Sequence, residues 1–111
     1  INADRLSATR SLAADVGAVV LLKGPGTVIA APDGEVWVNP TGNQALASGG
    51  TGDILSGMVG AFLAGGSNAL SAAAAAAWYH GHAADAIAAP GRRGLLASDL
   101  LEALPALFPP A

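Results

Sequence analysis

The sequence predicts an α/β fold in layers, a small sheet with helices packed against it. Three observations carry this. Short apolar runs separated by Gly and Pro turns fill positions 17–39. From Asp53 the apolar spacing changes to that of helices. The order, helix, strand, hairpin, loop and then helices, suits the C-terminal half of a layered α/β domain.

The elements follow in turn. Asp4 to Val16 reads as a helix, with Leu6, Leu12 and Ala13 on one side and Gly17 as its stop. "GAVVLLKG" is a continuous apolar run, which predicts a strand buried on both faces. Gly24-Pro25-Gly26 forces a turn. "TVIAAP" and "EVWVN", joined by the tight Pro32-Asp33-Gly34 turn, should pair as an antiparallel hairpin. "PTGNQALASGGTG" lacks periodicity and reads as a loop. A helix is expected from Asp53, carried by Ile54, Leu55, Met58, Val59, Phe62 and Leu63, and broken at Gly65-Gly66. An alanine-rich helix from Leu70 to about Ala88 follows. Ser98 would cap a last helix, Asp99 to Leu104, which Pro105 interrupts or ends.

Composition narrows the function. Over 111 residues, 52% are hydrophobic and 12% charged, enough apolar material for a packed core. The formal charge of −3, with no basic run, argues against a nucleic-acid partner. With no cysteine, disulfides and thiolate metal sites are excluded. Ile54 to Ala84 carries no Asp, Glu, Lys or Arg, but its strongly apolar part ends at Leu63, well short of the roughly twenty residues a span requires. No membrane partner and no signal peptide are expected. The chain starts with Ile, so a natural N-terminus is expected to lie upstream.

The stretch Ser48-Gly49-Gly50-Thr51-Gly52-Asp53 joins a glycine turn to a helix start. Unpaired N–H groups there, with the helix dipole behind them, can cradle an anion, and glycine lets a phosphate approach the backbone. Gly49, Gly50, Thr51 and Gly52 form the expected cradle. The pattern is neither a Walker A loop nor a dinucleotide fingerprint. Asp53 at the mouth suits phosphoryl transfer: the cradle holds the phosphoryl oxygens while the carboxylate takes a proton from the acceptor hydroxyl. A plain glycine turn capped by Asp53 accounts for the same residues. Lys23, the only lysine, opens "KGPGT" at a strand end and can meet a nucleotide phosphate, or can simply be a solvated charge. His80 and His82 are spaced for different helix sides and read as structural or surface groups, not a metal pair. Trp37 and Trp78 read as core or edge packing, and Asn39 and Asn43 as residues that order the turn between them.

The run from "VVLLKGPGTVIAAPDGEVWVNPTGN" to "GGTGDILSG" closely resembles the ADP/ATP-dependent NAD(P)H-hydrate dehydratases of the ribokinase-like superfamily. The similarity extends from the helix before "LLKG" to "LLASDLLEALP". A GxGD turn alone marks the whole superfamily; its combination with "KGxxTVIAxPDG" and "NPTGN" is narrower. The resemblance implies a ribokinase-like layered sheet with helices on its faces. It also implies dehydration of the S epimer of hydrated NADH or NADPH, by phosphorylation of the ring hydroxyl and elimination of phosphate. ADP or ATP would be co-substrate, with Mg2+. By motif match, Lys23, Gly24, Pro25, Gly26, Thr27 and Gly52 would contact the nucleotide. Asp53 would lie against the hydrated nicotinamide as the catalytic base, and no protein metal ligand is implied.

The family's kinase-like domain is more than twice this length, so residues 1–111 would form the C-terminal part of one such domain, weakly active or inactive alone. Members often assemble as tetramers, which implies a homo-oligomer for the complete protein. A cytoplasmic location is expected. A sugar or vitamin-precursor kinase of the same fold shares the GxGD turn, and a non-catalytic nucleotide-binding module would share the cradle. A substrate screen separates the first from the dehydratase; an Asp53→Asn change in a complete domain separates the second.

Overall fold

The computed structural model describes residues 3–24, 26–43, 46, 50–87 and 97–107. Helix α1 (Ala3–Val16) leads through Gly17, at φ +66°, into a three-stranded sheet of β1 (Val20–Leu22), β2 (Val28–Ala30) and β3 (Val36–Val38). Helices α2 (Thr51–Ala64), α3 (Ala69–Ile87) and α4 (Ala97–Ala103) follow, and the chain continues past α4 as a 3-10 turn, Leu104–Leu107.

The sheet has the order β1-β2-β3 and both pairings are antiparallel. The β2–β3 hairpin was expected. Its turn closes with Gly34 N–H donating to the Ala31 carbonyl at 3.1 Å, and Asp33 Oδ1 accepts from Glu35 N–H at 2.9 Å. The β1–β2 pairing makes "KGPGT" a second hairpin loop, with Leu22 opposite Val28. β1 itself departs from expectation. Val20 and Leu21 are half-buried and Leu22 is exposed, so this strand is not covered on both faces. It forms an edge of the sheet, and exposed Leu12 and Val16 lie on α1, which packs on it.

Strand β2 is the buried centre. Ile29 faces α3, where it packs with Ala73 and Ala77, while Val28 and Ala30 point to the other face, against α1. All three are essentially inaccessible. Burying a side chain such as Ile29 contributes about 1.5–3 kcal/mol. Helix α3 is thus the middle layer. Its alanines meet the sheet on one side and Leu55, Met58, Leu100 and Leu104 of the other helices on the opposite side. Small side chains allow both approaches at once.

Two helix starts differ from the sequence reading by two residues each. Helix α2 begins at Thr51, because Gly50 takes the left-handed turn (φ +87°) that starts it. Asp53 is therefore the third helical residue and not the cap. Helix α4 begins at Ala97, which places Ser98 inside it. Pro105 ends the α-helical hydrogen bonding as expected, and the chain tightens into the 3-10 turn.

Trp37 and Trp78 are each 41% exposed, which makes them edge residues and not core. Trp78 stacks on His82 at 4.6 Å between ring centroids. The two tryptophans line a groove of about 330 Å³ with Ile29, Asn39, Pro40 and Ala74. Among the described residues no Asp, Glu, Lys, Arg or His lines it.

Candidate functional site

Two glycine loops meet at the first turn of α2. The Lys23 side chain leaves the end of β1 and crosses to α2, where its ammonium occupies the space that a Cβ on Gly52 would take. Gly52 thus has a positional reason: any larger residue displaces Lys23. The structure brings Lys23, Gly52 and its neighbour Asp53 together. Asp53 is exposed in the first turn. The N–H groups of Gly52 and Asp53 in this first turn have no carbonyl of the same helix to meet.

The "KGPGT" loop is held from behind by α1. Arg5 donates to the carbonyls of Leu22, Lys23 and Gly26 at 3.4–3.5 Å. The guanidinium also lies 2.8 Å from where a Cβ on Gly24 would be, and Gly24 (φ +148°) and Gly26 (φ +63°) adopt backbone angles that favour glycine. Thr27 Oγ1 donates back to the Gly24 carbonyl at 3.2 Å. Pro25 and Gly49, both expected at the site, lie outside the described residues.

Thr51 is buried, and its hydroxyl donates to the Leu46 carbonyl at 2.6 Å. It can therefore enter an anion cradle through its backbone amide only. On the other side of that turn, buried His80 of α3 lies with Nε2 2.7 Å from the Thr51 carbonyl. A carbonyl only accepts, so Nε2 carries the proton and donates. Burial pushes the His80 pKa below the ordinary imidazole value. The bond to Thr51 opposes this, and the charge of nearby Lys23 reinforces it. His80 is thus a buried partner of the α2 turn, while His82 stacks on Trp78.

The "NPTGN" loop sits beside α3. Asn39 donates to the Ala77 carbonyl at 3.0 Å, and its Oδ1 accepts from Thr41 N–H at 3.3 Å. Asp85 accepts from Gly42 N–H at 3.0 Å and from Asn43 Nδ2 at 2.9 Å. Asn39 and Asn43 do order the turn, but through α3 as well as locally. Arg5, His80, Gly81 and Asp85 escaped the sequence reading as partners of the loops. Only Gly81 carried a signal: a glycine inside a helix lowers helix propensity and implies a close neighbour.

Among the described residues no group of three His, Cys, Asp or Glu side chains could hold a metal ion, and no helix is long and apolar enough to cross a membrane. Asp53 supplies a carboxylate in the first turn of α2. This donor set fits a magnesium ion carried on nucleotide phosphates with water completing its shell.

Comparisons with known proteins bear on the family and the fold. The ADP-dependent (S)-NAD(P)H-hydrate dehydratase of Neisseria meningitidis serogroup B is 47% identical over 105 residues, 93% of this chain and 36% of that protein. The chain therefore spans about a third of the length of this curated relative. The ADP/ATP-dependent NAD(P)H-hydrate dehydratase of Bacillus subtilis, co-crystallised with ATP/Mg2+, superimposes with a TM-score of 0.86 at 42% identity, over 92% of this chain and 37% of that one. A ribokinase-like superfamily protein from Enterococcus faecalis gives a TM-score of 0.80 at 32% identity, over 91% of this chain and 35% of the other. The fold is that of the ribokinase-like proteins. The family model for NAD(P)H-hydrate dehydratase matches residues 1–106, and the chain belongs to that family.

Proposed function

We propose that this chain is the C-terminal part of an enzyme that dehydrates the S epimer of hydrated NADH or NADPH at the expense of ADP or ATP. One observation carries the reading: the Lys23 ammonium lies against Gly52 in the first turn of α2, with Asp53 beside it. The family membership and the ligand named for the Bacillus subtilis structure support it.

In this reading the nucleotide phosphates lie between the Lys23–Thr27 loop and the α2 N-terminus. Lys23 and the N–H groups of Gly50, Thr51 and Gly52 balance the charge on the transferred phosphoryl group. Asp53 accepts the proton of the ring hydroxyl as that oxygen bonds to phosphorus and the nucleotide leaves. The ring C–O bond then breaks, phosphate departs with the bonding pair, and loss of the neighbouring C–H proton restores the ring double bond. Magnesium, when bound, supplies further charge neutralisation on the phosphates. The remainder of the substrate pocket would come from chain outside these residues, so the 111-residue piece alone is expected to turn over weakly or not at all.

The test is recovery of NADH absorbance when the full-length protein meets hydrated NADH, magnesium and ADP or ATP. Asp53→Asn should lower turnover by roughly 10²- to 10⁴-fold, with nucleotide affinity almost unchanged. A folded, nucleotide-binding protein that restores no NADH with either nucleotide overturns the reading.

A further inference from the structure

We propose that His80 is a positioning residue for the anion cradle, acting through the single peptide group that joins Thr51 to Gly52. The inference rests on the nucleotide reading above. His80 projects from α3 into the interior, and its Nε2–H donates to the Thr51 carbonyl at 2.7 Å. That carbonyl and the Gly52 N–H belong to the same amide. The carbonyl faces into the protein and meets His80; the N–H is one of the orphan donors at the opening of α2. A hydrogen bond accepted at the oxygen of an amide polarises its N–H and strengthens the bond it gives. His80 therefore raises the donor strength of the N–H of Gly52, the residue against which the Lys23 ammonium lies. It also fixes the rotation of the first turn, because Thr51 Oγ1 anchors the same residue to the Leu46 carbonyl.

The imidazole suits the task in its neutral form. Its site is buried, with Lys23 close by, and both disfavour a second positive charge. A neutral ring holds one N–H aimed at one carbonyl and competes with nothing for the anion. His80 touches no reacting atom in this scheme. It acts on the backbone that does.

The experiment compares full-length wild type, His80→Phe and His80→Gln. Phenylalanine keeps the ring volume and removes the donor; glutamine restores an N–H at similar reach. ADP affinity is measured by calorimetry, and KM for nucleotide and for hydrated NADH in turnover. We expect His80→Phe to weaken ADP binding by about tenfold, with KM for hydrated NADH nearly unchanged, and His80→Gln to recover most of the loss. Equal ADP affinity in wild type and a folded His80→Phe overturns the proposal. So does a loss in His80→Gln as large as that in His80→Phe. Wild type that binds neither ADP nor ATP overturns the nucleotide reading, and the positioning role with it. Wild type that binds ADP without forming NADH overturns only the reaction. Should His80→Phe fail to fold, the imidazole nitrogens of the wild type decide by 15N NMR. A neutral ring protonated at Nε2, shifted by ADP, is expected. A ring protonated at Nδ1, or one unmoved by bound ADP, overturns the role.

Discussion

Gly52 in α2 and Gly81 in α3 look alike in sequence, each a glycine within a helix that gains nothing from it locally. Their surroundings differ. A Cβ on Gly52 would meet the Lys23 ammonium, the far end of a flexible side chain. A Cβ on Gly81 would meet the Thr41 hydroxyl, and also Thr41 C at 2.6 Å and Gly42 N at 2.8 Å, which are backbone atoms. The first contact can move and the second cannot. One glycine keeps room for a charge that is to meet a ligand. The other lets the "NPTGN" loop lie directly on α3, where Asn39 and Asp85 then fasten it. One region is built to exchange partners and the other to hold its own.

Substitution by alanine breaks the comparison most sharply at Gly81. The added methyl group would force the loop off α3, and overpacking of this kind costs about 1–3 kcal/mol, partly offset by up to about 1 kcal/mol of helix propensity. We expect a lower denaturant midpoint for Gly81→Ala, with an unchanged slope. An unchanged midpoint would mean that the loop yields freely. Gly52→Ala should do the reverse. Lys23 swings aside, the midpoint holds or rises slightly, and nucleotide affinity falls about tenfold through loss of a charge-assisted contact. Calorimetry with ADP, read beside the same denaturation curve, separates the two effects. A Gly52→Ala protein that loses stability and keeps its affinity would reverse the roles assigned to the two glycines.

How much of this was legible in the sequence follows from what is local. Turn chemistry and helical spacing are local, and they placed the β2–β3 hairpin and the three longer helices within a few residues. The motif residues of the site were legible for the same reason: Lys23, Gly52 and Asp53 stand in short, ordered patterns, and the fold brings Lys23 onto Gly52. The supports were not legible. Arg5 reaches the hairpin loop across 17–21 residues, and His80 reaches Thr51 across 29. Nothing in a helix's own sequence says which carbonyl of another element its side chain will meet. The exposure of β1 is not legible because an apolar run reports what a strand is suited to face, while the described residues leave Leu22 partly uncovered.

A milder change tests the fastening of the loop without touching Gly81. Asp85→Ala removes the acceptor for both Gly42 N–H and Asn43 Nδ2. The site is exposed, so water replaces those bonds in part, and a loss of about 1 kcal/mol is expected. Combined with Gly81→Ala, the two losses should sum to less than their separate values, because a loop already displaced has no bond to Asp85 left to lose. Strict additivity in this double-mutant cycle would separate the two contacts that the comparison joins.

The last difference between the regions is their response to acid, and it comes from His80. Its pKa is lowered in the folded protein, by burial first, with the Thr51 bond opposing and the Lys23 charge adding to the effect. Below the ordinary imidazole value of about 6.5 the unfolded chain therefore binds a proton that the folded chain resists. Stability is full above that value and falls as pH drops from it to the lowered folded value. Below the folded value both states carry the proton, and the contribution levels off. In His80→Gln this slope should vanish, while Gly81→Ala should keep the slope and shift the whole curve down. Urea unfolding across that interval reads both. A slope that survives in His80→Gln would place the titrating group elsewhere, and the α2 turn would lose its claim to be the pH-sensitive side of the molecule.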